Sequence, residues 1–227
     1  MISNIYMKIK VIIFFVFMVL AGGFLYWQGQ KNEKKTLVNE PVPQNTVSDL
    51  SNIQNPTITF ELDLQNKNLK SLPSEALELT NLKKINLSNN QITSLPSEIG
   101  RFTNLEEFII ENNLLTGALP AEINKWPRLK KLDASDNGLT GVPAEIGQLP
   151  GLKTLDFGNN KITALPNEFE KLTGLLYLDL KNNNFSQISP SLKKMTQLKT
   201  LNLTGNSLSP SEIDDLKKLL STTDIIY

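Results

Sequence analysis

Neither cysteine nor histidine occurs anywhere in the 227 residues. That removes disulfides, thiol nucleophiles, thiolate and imidazole metal sites, and every acid–base scheme built on imidazole. An excess of one charge is also missing: Lys+Arg and Asp+Glu both number 23. Nothing in that balance draws the chain to nucleic acid or to an acidic membrane surface. No G-x-x-x-x-G-K-[ST] loop is present to cradle a phosphate. The expectation is a protein that is not an enzyme, uses no cofactor and holds no metal.

Long apolar runs are scarce, with one exception. Residues 11–27, VIIFFVFMVLAGGFLYW, carry no charge, and Lys8 and Lys10 precede them. As a helix this run spans about 25 Å, the short end of a membrane crossing. Lysines before it favour an N-terminus inside, and Tyr26 and Trp27 suit the far interface. A cleaved signal peptide is the rival reading, with Ala21 and Gly23 before the cut. Cleavage would leave FLYW as an exposed start to the mature chain, so the uncleaved anchor is preferred. Both readings place the remainder outside the cytoplasm, anchored in the first case and secreted in the second. Residues 28–56 are polar, broken by prolines and poor in apolar side chains. Such a segment buries too little surface to offset its ordering entropy. It reads as a disordered linker reaching roughly 30 Å, with the folded domain at 57–227.

From Thr59 onward the chain repeats itself. The pattern L-x-x-L-x-L-x-x-N-x-L restarts at Thr59, Leu82, Leu105, Leu129, Leu152, Leu175 and Leu198. The spacing is constant except for one extra residue, which lies in LTGALP at 115–120. Other columns keep the same step. Leu79, Phe102, Trp126, Leu149, Leu172 and Met195 hold one position; Leu72, Leu95, Leu119, Val142, Leu165 and Ile188 hold another. L-x-L alternation is strand periodicity, and LPSEI or LPAEI opens a short helical or extended segment. Single coils bury too little to fold alone, and stacking buries each against two neighbours. An asparagine column, Asn90, Asn113, Asn137, Asn160, Asn183 and Asn206, suits the tight turn after each strand and can bond backbone inside the curve.

The motif LxxLxLxxNxLxxLPxEIxxLxx resembles the leucine-rich repeat family over residues 59–209. The resemblance implies an α/β solenoid with a parallel sheet on its concave side. It also implies binding of other proteins, and gives no chemistry of its own.

The ends depart from the pattern. The first coil has Thr59 for Leu and Lys67 for the ladder Asn, so residues 50–58 are expected to shield that end. At the other end SPSEIDDLKKLL (209–220) offers Ser209 as N-cap, Pro210 at the first helical position and Glu212 to close a capping box. Ile213, Leu216 and Leu220 then share one face, which suits a helix over the last coil within a cap at 209–227. The glutamates Glu75, Glu98, Glu122, Glu145 and Glu168 recur two residues after proline in successive coils, where a first helical turn favours negative charge. Their recurrence argues for structure and against an acid–base pair.

Function in such a fold sits on the outward positions of the sheet. At the x of L-x-L stand Asp63, Asn86, Ile109, Asp133, Asp156, Asp179 and Asn202. The aspartates form a mildly acidic ladder, read first as solvated or bonded to adjacent polar groups. The apolar exceptions are more informative. Ile109 replaces Asp or Asn, with Lys84, Glu107 and Lys131 around it; Leu176 and Tyr177 precede LDL where the other coils from the second onward carry Lys, Glu or Thr. Ile109 and Tyr177 are expected about 15 Å apart along the sheet. The candidate binding face is thus Lys84, Glu107, Ile109, Lys131, Asp133, Asp156, Leu176, Tyr177 and Asp179. The expected protein is a monomer that docks a protein or peptide there, with glycan or cell-wall material as the alternative ligand.

Overall fold

The computed structural model describes residues 46–50 and 59–227. Each of the seven coils contributes one three-residue strand: β2 (Glu61–Asp63), β3 (Lys84–Asn86), β4 (Glu107–Ile109), β6 (Lys131–Asp133), β8 (Thr154–Asp156), β9 (Tyr177–Asp179) and β10 (Thr200–Asn202). They pair in parallel in that order, so equivalent residues of successive coils lie side by side. Two further strands complete a nine-stranded sheet: β1 (Thr46–Val47) beside β2 and β11 (Asp224–Ile226) beside β10. The proposed membrane segment at 11–27 lies outside the described residues. Among the described residues no helix is long and apolar enough to cross a membrane.

β1 falls inside the segment read from sequence as disordered linker. Its two residues take up the register Thr46↔Glu61 and Val47↔Leu62, so the sheet begins before residue 57. Two polar-flanked residues leave no periodic trace, which is why the pattern could not announce them. Leu50 packs against the core, in keeping with a shielding role for this end. At the far end the expected helix is present as α1 (Pro210–Leu219), with its capping box formed between Ser209 and Glu212. Ile213, Leu216 and Leu220 are buried on the last coil. The strand β11 that follows was not anticipated.

Opposite the sheet, five coils return through 3₁₀ helices at Ser74–Glu78, Ser97–Arg101, Ala121–Lys125, Ala144–Gln148 and Asn167–Lys171. Each follows a proline in extended conformation and carries its glutamate in the first turn. Proline fits because its fixed φ sets the entry angle and its missing N–H has no partner to lose there. In the sixth coil, where the proline is displaced, the helix shrinks to Leu192–Lys194. The extra residue of the 24-residue coil (105–128) has a structural use. It lets Thr116–Gly117 (β5) pair with Gly138–Leu139 (β7) in a second, two-stranded parallel sheet, with Gly117 at φ 71°.

The core is the set of repeated columns, almost all fully buried. Trp126 packs against Phe108, with centroids 4.9 Å apart, and its indole N–H donates to the Ile99 carbonyl at 2.9 Å. The asparagine column does what its chemistry allows. Asn160 Nδ2 donates to the carbonyls of Ala134, Phe157 and Gly158, while its Oδ1 accepts from Leu139 N. Asn113, Asn137 and Asn183 repeat this pattern. The tight turn itself belongs to the preceding residue. Asn66, Asn89, Asn112, Asp136, Asn159 and Asn182 take φ between 50° and 57°, and Gly205 takes 74°. Side chains that bond locally tolerate this region, so Asn, Asp and Gly fill the column.

Two substitutions test this packing. Asn160→Ala orphans backbone groups of two coils and is expected to cost about 2–3 kcal/mol, read as a lower urea midpoint. At Gly147 an added β-carbon would stand 2.3 Å from the Glu168 carbonyl oxygen of the next coil. Gly147→Ala is therefore expected to lower stability by about 1–3 kcal/mol in the same assay.

Candidate functional site

Every residue proposed from sequence for the binding face lies on the sheet strands or immediately before one. Lys84, Glu107 and Lys131 occupy one register row with Thr154 and Tyr177; Ile109, Asp133, Asp156 and Asp179 occupy the next. Ile109 and Tyr177 are three strand steps apart, as expected, but they sit in different rows. Tyr177 is the most exposed of the apolar candidates at 40%, whereas Ile109 and Leu176 are half-buried.

The three charged residues around Ile109 are engaged with one another. Glu107 lies 3.2 Å from Lys84 Nζ and 3.5 Å from Lys131 Nζ, bridging three adjacent strands. Partly exposed pairs of this kind contribute about 0.2–1 kcal/mol each. Two lysines share one carboxylate, so both signs of charge are mixed in this part of the face.

The row of Asp and Asn has a structural reason that sequence supplied only in outline. In six of the seven coils the side chain accepts from the backbone N–H two residues on: Asp63 from Gln65, Asn86 from Ser88, Asp133 from Ser135, Asp156 from Gly158, Asp179 from Lys181 and Asn202 from Thr204. The side chain closes the turn at the strand end. Ile109 alone gives up this bond. Its presence is therefore not explained by the local backbone.

Because Ile109 interrupts the row, only Asp133, Asp156 and Asp179 are consecutive neighbours, on β6, β8 and β9. Asp156 is the middle one. Burial, with Asp133 and Asp179 on either side, pushes its carboxyl up to about 7, against the pull of the Gly158 amide and Lys181. Glu111, near Asp133 and Asp136, is also raised, chiefly by burial. These flanking groups escaped the sequence reading, as did Leu114. Leu114 is 55% exposed, and its column otherwise holds Asn68, Gln91, Gly138, Lys161, Asn184 and Ser207. That apolar exception was visible in the alignment of coils. Among the described residues no group of carboxylates is arranged to hold a metal ion.

Strand order, asparagine ladder and repeated core together match a known architecture. The leucine-rich repeat model matches residues 61–115, 127–185 and 166–208. The chain belongs to the leucine-rich repeat family. Among curated proteins, none matches it in sequence. Among solved structures, a leucine-rich repeat protein of Leptospira interrogans is similar at 32% identity and TM-score 0.69, covering 81% of this chain and 58% of its own. The leucine-rich repeat ectodomain of the Arabidopsis thaliana receptor kinase GASSHO1/SCHENGEN3, in complex with CASPARIAN STRIP INTEGRITY FACTOR 2, is similar at 31% identity and TM-score 0.61. That match covers 69% of this chain and 20% of the receptor. The plant peptide hormone receptor RGFR1, in complex with RGF2, gives 27% identity and TM-score 0.58 over 74% of this chain and 32% of its own. This chain thus spans less than two thirds of the length of each.

The Asp156 carboxyl yields a prediction with a definite sign. Its folded pKa lies above its ordinary value, so the folded state binds the extra proton and stability falls as pH rises from about 4 through about 7. Asp156→Asn keeps the acceptor for Gly158 and cannot ionise. Its stability relative to the native chain should rise through that window and be level below about pH 4, as read by thermal unfolding against pH.

Proposed function

We propose that this chain is a non-catalytic protein- or peptide-binding module, presented outside the cytoplasmic membrane by the apolar segment at 11–27 and docking its ligand on the sheet face. The observation that carries the reading is the pair of departures on that face. Ile109 forgoes the strand-end bond made by the equivalent residue of the other six coils, and Tyr177 exposes an aromatic ring where other coils carry Lys, Glu or Thr. Exposed aromatic and apolar side chains on a rigid sheet are the type that anchors interfaces. The plant receptors that resemble this chain are ectodomains or hormone receptors in complex with their partners, which supports the same use. A sugar-binding face would be expected to stack neighbouring aromatics, whereas Tyr177 stands alone among the outward strand positions and Phe60, just before β2, lies five strand steps away.

The test is capture of ligands from surface and envelope fractions of the source cell by the full chain, with and without the double substitution Ile109→Asp, Tyr177→Ala. Aspartate at 109 is what the row otherwise carries, so the fold should survive, as circular dichroism would verify. Loss of about 2 kcal/mol or more of affinity, roughly 30-fold, is expected for a partner anchored there. Undiminished capture would move binding off the face. Retention on cell-wall material with no protein bound would replace the protein reading with the glycan one.

A further inference from the structure

Across the part of the sheet made by β6, β8, β9 and β10, charge is sorted into rows. Just before these strands stand Lys130, which is paired with Glu106 of the neighbouring coil, and then Lys153, Leu176 and Lys199; at their ends stand Asp133, Asp156, Asp179 and Asn202. Between the two rows lie Lys131, Thr154, Tyr177 and Thr200. The outer rows are about 10 Å apart, three residues of extended chain.

Side-chain direction increases the separation. Lys153 reaches toward the turn that precedes β9, its Nζ 2.9 Å from where a β-carbon on Gly174 would stand. The aspartates bend the other way, accepting from amides two residues further on. Lys153 and Lys199 are exposed and join none of the ion pairs found among the described residues. The contrast lies one step away, where Glu107 stands between Lys84 and Lys131 and both signs mix within a single row. Since the whole chain has formal net charge +0, the polarity is local to this face.

The geometry points to an occupant of one kind: an extended peptide lying across β6 to β10, with basic side chains along one edge, acidic side chains along the other, and an apolar side chain between them against Tyr177. This rests on the docking reading above and names its partner by charge. Alternate side chains of an extended strand point to opposite edges. A sequence alternating Lys and Glu therefore presents the required sorting by itself, while a sequence with the same residues in blocks does not.

Two synthetic peptides of identical composition supply the probe, one alternating Lys and Glu about a central Leu, the other with Lys and Glu in separate blocks about the same Leu. Both are neutral overall, so non-specific attraction is matched. Binding to the full chain is followed by fluorescence anisotropy at low ionic strength. The alternating peptide should bind roughly five- to tenfold more tightly, the return from two or three partly exposed pairs. In Asp133→Asn, Asp179→Asn the preference should disappear. Asparagine already fills this row at Asn86 and Asn202 with the same strand-end bond, so the variant keeps its fold. Equal affinity for the two peptides, or a preference that survives the substitutions, overturns the inference. So does failure of both peptides to bind. If capture is nevertheless lost on Ile109→Asp, Tyr177→Ala, the charge assignment falls while the docking reading stands.

Discussion

Buried amide side chains hold this structure in register. A turn after each strand leaves carbonyls and an N–H pointing inward, and buried backbone groups without partners are costly. One asparagine per coil bonds them, and because its partners belong to two coils, the same bonds clamp neighbour to neighbour. Apolar columns supply most of the driving force for stacking. They would tolerate some sliding, whereas the amides fix each coil to a definite height. The sheet rows, and with them any pattern written on the face, depend on that alignment.

Function and fold share residues on the face. Asp and Asn recur there because their side chains close the strand-end turn, which makes acid a by-product of architecture at several positions. Architecture alone would accept Asn throughout, as at Asn86 and Asn202. Three consecutive aspartates go further than the turn requires, and burial with mutual repulsion holds a proton on Asp156 near neutrality. Retaining carboxylates where amides would serve is a cost to the folded state above that range.

The sequence revealed the shape in detail because a stacked coil must repeat its buried face, and repetition is what alignment detects. The seven strands, the core columns, the Asn ladder and the capped helix at 210–219 were all readable for that reason. What was missed does not repeat or repeats ambiguously. β1 and β11 lie outside the repeat, and β5 arises from a single inserted residue. The residues at positive φ sit beside the ladder asparagines as Asn-Asn, Asp-Asn or Gly-Asn pairs, so the turn was assigned to the wrong member of each pair. On the face, residue identities were readable but engagement was not. Nothing in spacing alone says that Glu107 bridges two lysines or that, among the seven coils, only that of Ile109 lacks the strand-end bond.

The small β5–β7 sheet has a mechanical consequence. The third and fourth coils are stitched along the main sheet and again along a second seam. The later coils carry one backbone bond per step along that second seam, from Lys161 N to the Leu139 carbonyl, from Asn184 N to that of Ile162 and from Ser207 N to that of Phe185. Between the third and fourth coils there are three, from Gly138 N to the Leu115 carbonyl and from the amides of Thr140 and Gly141 to that of Gly117. Prising these two coils apart along that seam therefore breaks more hydrogen bonds than at the later steps, and the single inserted residue makes this the reinforced joint of the stack.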